Sequence, residues 1–264
     1  MAYNKVAVIG AGIIGEALIG MLLKSGFEKD TVFTSEKRPD RLTEILDKYR
    51  IQELRSIEEV DVLFLAVKPQ DFSSTLSQWK ESEIAGKLVV SFAAGIKTHK
   101  VNEILGNSVR VIRVMPNTPM TVGRGIFAMS LSPKANQEDQ NWLRGVLGEV
   151  GEVISVPEEL QDAVTATSGS GPAYFFAFTE AIETAAKRLG LNDADSKILA
   201  RETLIGAALM VEKSGKELKI LRENVTSPNG TTAAALNKFV TSGLDELVYE
   251  AMKAAHERSI ELSS

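Results

Sequence analysis

At 264 residues, 44% of them apolar and 25% charged, the chain has the make-up of a soluble globular protein of one large or two modest domains. A net charge of −5 without a long basic block argues against a nucleic-acid partner. The absence of Cys excludes disulfides, a thiol nucleophile and Cys-ligated metal, and no metal site is expected. The N-terminus enters a strand pattern within a few residues, with no signal-peptide architecture. The apolar stretch 173–186 carries Glu180 and Glu183 and is too short to span a bilayer, so a cytoplasmic protein without a membrane partner is expected.

Lys5-Val6-Ala7-Val8-Ile9 reads as a buried parallel strand. Gly10-Ala11-Gly12-Ile13-Ile14-Gly15 follows at once, then a helix to about Lys24, a stop at Gly26 and a second strand at Thr31–Thr34. This order of strand, glycine turn, helix and strand raises GxGxxG to a dinucleotide fingerprint, with Ile9 to Gly15 at the pyrophosphate. The second strand runs into Ser35-Glu36-Lys37-Arg38. An acidic residue about twenty positions past the fingerprint suits the ribose diol of NAD, while basic residues suit the 2′-phosphate of NADP. Glu36 fits the first rule by position, and Ser35, Lys37 and Arg38 fit the second by charge. The sequence leaves the two nucleotides open; we expect NADPH, with NADH as the alternative and Glu36 turned to solvent.

Arg41–Tyr49 reads as a helix and Val62–Val67 as a buried strand that Lys68-Pro69 stops. Strand ends line the ligand crevice of a doubly wound sheet, which makes Ala66, Val67, Lys68 and Pro69 cofactor candidates, with a solvated Lys68 as the alternative. Leu88–Ser91 is a strand leading into Ala93-Ala94-Gly95, whose small residues suit the approach of a nicotinamide ring. Arg110–Val114 is a strand ending in Met115-Pro116-Asn117-Thr118-Pro119, which adds Asn117 to the candidates. A strand at Gly125–Met129, a helix at Gln137–Val150 and a strand at Val153–Val156 complete a Rossmann-like α/β domain over 1–157, bounded by Pro157. An all-α domain over 158–264 follows.

The first long helix of that domain carries Tyr174, Phe175, Phe176, Phe178 and Ile182 with little polar face, and such a helix must be buried. A second helix covers Ile198–Val211. The last shows an apolar stripe at Leu244, Leu247, Val248, Ala251, Met252, Ala255, Ser259 and Leu262. About a hundred residues can hardly bury all of this alone, so a homodimer through this domain is expected. Between the helices, Ser227-Pro228-Asn229-Gly230-Thr231-Thr232 breaks one segment and opens another. The first amides of that helix, the positive end of its dipole and the hydroxyls of Thr231 and Thr232 suit a small carboxylate or phosphate. His99 and His256, the only histidines, lie in polar surroundings and read as surface residues.

The Ser227–Thr232 turn resembles the Ser-Pro-Gly-Gly-x-Thr signature of the pyrroline-5-carboxylate reductases, with Asn229 in place of the commoner Gly. Ser168-Gly169-Ser170-Gly171-Pro172-Ala173-Tyr174, Ala93-Ala94-Gly95 and Pro116-Asn117-Thr118-Pro119 are similar to segments of the same family. The resemblance covers the whole chain. It implies NAD(P)H-dependent reduction of 1-pyrroline-5-carboxylate to L-proline, the last step of proline biosynthesis. It also implies that the Gly230, Thr231 and Thr232 amides, next to Asn229, hold the imino-acid carboxylate, that the Thr232 hydroxyl bonds the ring nitrogen, and that dimers, in some members joined into rings, form through the helical domain. The substrate is expected between the domains. In the β-hydroxyacid dehydrogenases a catalytic Lys stands in a GxGxxxK segment, where this chain has Phe175. A reductase of another imino acid and a non-catalytic dinucleotide-binding protein are the remaining readings; the Thr232 helix start speaks against the second.

Overall fold

The computed structural model describes residues 3–262. It divides into two compact units, one running through Ser170 and taking in the chain from Ala255 on, the other Gly171–Ala254.

The first unit alternates strands and helices: β1 (Val6–Ile9), α1 (Ile13–Lys24), β2 (Val32–Ser35), α2 (Pro39–Tyr49), β3 (Gln52–Glu53) and β4 (Val62–Leu65). Then come α3 (Pro69–Leu76), α4 (Glu81–Ile84), β5 (Leu88–Ser91), α5 (Thr98–Leu105) and β6 (Arg110–Met115). β7 (Gly125–Leu131), α6 (Gln137–Gly148), β8 (Gly151–Ser155) and the short α7 (Gln161–Val164) follow. The eight strands form one sheet in the order β3-β2-β1-β4-β5-β6-β7-β8. β6 and β7 pair antiparallel and every other pair is parallel. The order reverses between β1 and β4, and such a reversal opens a crevice at the strand ends.

Side chains in the sheet alternate strictly. Val6, Val8, Val62, Phe64, Leu88 and Val90 point into one core, while Ala7, Ile9, Leu63, Leu65 and Val89 point into another. Both faces are therefore covered, which is why these strands read as unbroken apolar runs. Local chemistry sets the helix ends. Asn136 caps α6 by accepting from the Asp139 amide (2.9 Å), and Asp139 answers on the Asn136 amide (3.1 Å). Pro69, read from sequence as a strand stop, is the first residue of α3, a position where its missing N–H costs nothing.

The sheet edges are guarded. β3 is only two residues long. Along β8 the Arg144 guanidinium donates to the Val153 carbonyl, and its Nη2 donates to Ser155 Oγ (2.9 Å).

The second unit is helical: α8 (Gly171–Arg188), α9 (Asp193–Ser214), α10 (Leu218–Asn224) and α11 (Thr231–Thr241), with the start of α12 (Leu244–Leu262). α9 is longer than its apolar stretch suggests, because Asn192 caps it by accepting from the Asp195 amide (2.9 Å) and Gly215 ends it in the left-handed region (φ 62°). Phe178 and Phe239 tie α8 to α11, their rings 6.1 Å apart. The expectation that α8 is buried fails within the single chain: Phe175 and Phe176 are 63% and 62% exposed. The stripe on α12 is open too, with Leu247 68% exposed. The apolar surface is present as read, but the helices of its own unit do not cover it.

Candidate functional site

The glycine turn after β1 is built by three different demands. Gly10 holds φ +91°, and a Cβ there would lie 3.0 Å from the Ala66 carbonyl oxygen. A Cβ on Gly15 would fall 1.8 Å from the Gly10 oxygen, so this glycine lets α1 sit against β1. A Cβ on Gly12 meets nothing within 4 Å: there the backbone faces open space. That opening lies at the start of α1, whose first amides receive no side-chain cap. A cradle of bare amides at a helix N-terminus fits a pyrophosphate, so these residues suit a dinucleotide.

Backbone hydrogen bonds draw the other candidates to the same edge of the sheet. The Gly10 amide donates to the Ser35 oxygen (2.7 Å), the Ala66 amide to Ile9 (2.8 Å) and the Phe92 amide to Leu65 (2.9 Å). Ile9 to Gly15, Ser35, the Ala66–Pro69 turn and the Ala93–Gly95 turn thus stand at neighbouring strand ends. Lys68 is exposed there, Ala93 is buried, and Gly95 turns with φ +77°. Asn117 follows β6, and its carboxamide oxygen accepts from the Ile126 amide (3.0 Å), so it also braces the start of β7. A cavity of about 330 Å³ opens beside Ser35, lined also by Arg55, Ser56, Thr75 and Gln78.

One expectation is corrected here. Glu36 does not turn to solvent: its side chain is 7% exposed. It accepts from the Ala11 amide (2.9 Å), from the Arg38 amide (3.1 Å) and from Arg38 Nε (2.9 Å). Burial pushes its carboxyl up, but the Arg38 guanidinium and the two amides outweigh this and hold it below the usual range. Lys37 pairs with Asp71 (2.9 Å). On the far side of the turn, Arg41 Nε donates to the Ala11 oxygen (2.9 Å) and its guanidinium also meets Glu16. Glu16 takes Lys48 Nζ (2.7 Å) as well; Lys48 first, then Arg41 and Tyr49, bring its carboxyl down to about 2.

In the second unit the Ser227–Thr232 turn has the conformation its residues suggest. Asn229 is left-handed (φ 59°), a region Asn tolerates better than most residues. Gly230 caps α11 without any side-chain bond, and the first turn of α11 carries no acidic residue. The Gly230 amide itself is not available, because it donates to the Ser227 oxygen (3.0 Å). The open amides belong instead to Thr231, Thr232 and Ala233, the first three of the helix. A Cβ on Gly230 would stand 2.5 Å from Ser227 Oγ and 3.1 Å from the Ser227 carbonyl oxygen, so a larger residue here would make the Ser227 side chain turn away. His99 is exposed on α5 and His256 half-buried on α12.

A buried polar cluster was not anticipated from sequence. Arg113 on β6 is 2% exposed and stands 3.7 Å from Glu158, which also accepts from the Thr98 amide (2.7 Å) and hydroxyl (2.8 Å). Asp162, which follows Glu158 in the chain, accepts from the Ser259 hydroxyl on α12 (2.7 Å). A charged residue in an otherwise apolar strand was the available signal.

The sheet order and the glycine turn define an oxidoreductase of the dinucleotide-binding α/β class with a helical C-terminal part. Comparison with known proteins narrows this. A family model for pyrroline-5-carboxylate reductase dimerisation matches residues 158–262, and one for NADP oxidoreductase, coenzyme F420-dependent, matches residues 5–95. The pyrroline-5-carboxylate reductase of Corynebacterium melassecola is 39% identical, with 98% of each chain covered. The structure of the Coxiella burnetii pyrroline-5-carboxylate reductase superposes with a TM-score of 0.92 at 30% identity, covering 99% of both chains. That of the Plasmodium falciparum pyrroline carboxylate reductase, with NADP bound, gives 0.83 at 29% identity, covering 99% of this chain and 98% of that one. The chain belongs to the pyrroline-5-carboxylate reductase family, NAD(P)H-dependent oxidoreductases of proline biosynthesis that act on a cyclic imine. It carries the family's dimerisation segment, which begins at Pro157's neighbour, residue 158, while the compact units part at Ser170. No helix among the described residues is long and apolar enough to cross a membrane.

Proposed function

We propose that the start of α11 holds the carboxylate of 1-pyrroline-5-carboxylate and that residues 158–264 supply the substrate-binding and dimerisation part of the enzyme. The observation that carries this is the contrast between helix starts. α6 and α9 are closed by Asn136 and Asn192 and carry acidic residues in their first turns, whereas α11 has neither; the short α10 shares this lack, but it is α11 that follows the left-handed Asn229. Its Thr231, Thr232 and Ala233 amides and the positive end of its dipole are left for an external anion. The half-buried Thr232 offers its hydroxyl to the ring nitrogen, and exposed Thr231 lies at the rim. Asn229 and Gly230 shape the turn behind them.

A nicotinamide cofactor held at the Ala93–Gly95 turn would supply hydride to the imine carbon. The protein orients the ring and excludes water. Because a cyclic iminium already carries its proton, no histidine is needed as donor. At the sheet, the amides from Gly12 onward hold the pyrophosphate, with the Ala66–Pro69 and Ala93–Gly95 turns and Asn117 along the same edge. The reading is of a cytoplasmic enzyme assembled from dimers, with a ring of dimers as the higher form.

Thr232→Ala tests the substrate assignment. It keeps the amides and removes the hydroxyl, and it should lower kcat/KM by about ten- to a hundredfold with dinucleotide affinity unchanged. Wild-type kcat/KM in this variant removes Thr232 from the site. A six-membered cyclic imine reduced as efficiently as the five-membered one would instead favour a different imino acid.

A further inference from the structure

We propose that Glu158 is a positioning residue for hydride transfer: by holding the start of α5, it fixes the Ala93–Gly95 turn that leads into that helix. The proposal rests on the reading that this turn seats the nicotinamide. Its first support is how the turn is anchored. On the entering side the Phe92 amide is tied to the Leu65 oxygen (2.9 Å). Within the turn the Ile96 amide reaches the Ala93 oxygen only at 3.4 Å, and Gly95 holds φ +77°. On the leaving side Thr98, the first residue of α5, is buried and gives both its amide (2.7 Å) and its hydroxyl (2.8 Å) to Glu158. Lys97 at the cap position makes no side-chain bond to the helix, and the first turn of α5 has no acidic residue. The carboxylate that closes this helix comes instead from 60 positions further along the chain.

The second support is what holds Glu158. It lies on the connector between β8 and α7, where the dimerisation segment begins. Arg113, 2% exposed, stands 3.7 Å from it. Burial pushes the Arg113 guanidinium down from its ordinary value, and Glu158, then Asp162, oppose this. A cation so buried needs a carboxylate beside it, so the pair keeps the connector in place. Arg113 also pairs in register with Ser91, the last residue of β5, so the brace and the turn spring from neighbouring strands. Ala94 is the exposed member of the turn. A reacting carbon misplaced by about 1 Å can lose on the order of a hundredfold in rate, and slack at Thr98 would permit such a shift.

Single-turnover mixing of the full chain, preloaded with NADPH or NADH, with 1-pyrroline-5-carboxylate separates positioning from folding. Fewer folded molecules lower the amplitude, whereas a displaced ring lowers the rate. Glu158→Gln leaves one acceptor of two and removes the charge. It should slow the hydride step about ten- to a hundredfold at unchanged amplitude, with calorimetric affinity for ADP-ribose and its 2′-phosphate as in the wild type. In the protein without nucleotide, amide hydrogen exchange over residues 93–98 should become at least about tenfold faster, with that of β5 unchanged. Thr98→Val keeps the ion pair and removes one bond, and it should slow the step about tenfold. Thr98→Ser keeps the hydroxyl and should keep the wild-type rate. A wild-type rate in either Glu158→Gln or Thr98→Val overturns the proposal; if exchange is faster all the same, the cluster braces the fold alone. Should Glu158→Gln lose amplitude, Thr98→Val decides. Ala94→Leu tests the nicotinamide seat, since it should weaken binding of NADPH and NADH but not of ADP-ribose. If it changes neither these affinities nor the hydride rate, the seat is misplaced; if it slows the step while Glu158→Gln does not, only the role of Glu158 falls.

Discussion

The two units treat apolar surface in opposite ways. In the sheet unit, Val6, Val8, Phe64, Leu63 and Leu65 are at or near zero exposure. In the unit Gly171–Ala254, the only buried apolar residue among those described is Ala200. Phe175, Phe176, Leu199, Met210 and Tyr249 are each more than half exposed. A helix pair with that much open aromatic and aliphatic surface is half of a core, and the dimerisation segment it belongs to supplies the reason. The sheet unit covers its own apolar surface; the helical unit, which carries the dimerisation segment, leaves much of its own open.

The sharpest way to break this comparison is a charge on the open face. Phe176→Glu leaves the Phe178–Phe239 contact untouched and should weaken self-association at least about a hundredfold, near 2.7 kcal/mol. Sedimentation at micromolar concentration should then show monomer or unfolded chain, and the same run on the wild type distinguishes a dimer from a closed ring of dimers. An unchanged wild-type oligomer would mean that this face is not the one covered. In the sheet unit the corresponding break is internal. Gly15→Ala forces a methyl group onto the Gly10 oxygen and should cost about 2–4 kcal/mol in denaturant unfolding. Stability within about 0.5 kcal/mol of the wild type would show that α1 can move off β1 freely.

The smallest effect concerns the ion cluster beneath the glycine turn. The native pKa of Glu16, about 2, lies below its ordinary 4.5. Its contribution is therefore full above about 4.5 and fades as the pH falls toward 2. Glu16→Gln should cost on the order of 1 kcal/mol at neutral pH, since the cluster is partly open to solvent, and the difference from wild type should close near pH 2. A gap that persists undiminished at low pH would assign the loss to packing instead.

Much of the sheet unit is legible in the sequence because its signals are local. Unbroken apolar runs gave β1, β4, β5 and β6, and the glycine spacing placed the turn. β3 escaped because a two-residue edge strand has no pattern of its own. α3 escaped because Pro69 can stop one element and start the next. At the site, the left-handed Asn229 followed from residue chemistry, whereas the engaged Gly230 amide depended on a turn bond to Ser227 that no spacing reveals. The direction of Glu36 was misread for a similar reason. A lone Glu among basic residues looks solvated until the fold places the Ala11 amide within reach. Exposure of the α8 aromatics was hidden in the same way: the sequence states that they must be covered but not by which chain.

The edges of the sheet have a consequence for how copies of this protein can meet. An open strand edge is adhesive, since any extended segment can add to its free amides and carbonyls, and stacks of copies would grow without limit. Here the β3 edge offers two residues, too few to template a partner, and the β8 edge has its Val153 carbonyl occupied by Arg144. Ribbon-like growth is thereby disfavoured on both sides. The same Arg144 that looks like a surface detail of α6 is thus a guard on solubility, acting in the crowded state rather than in the isolated fold.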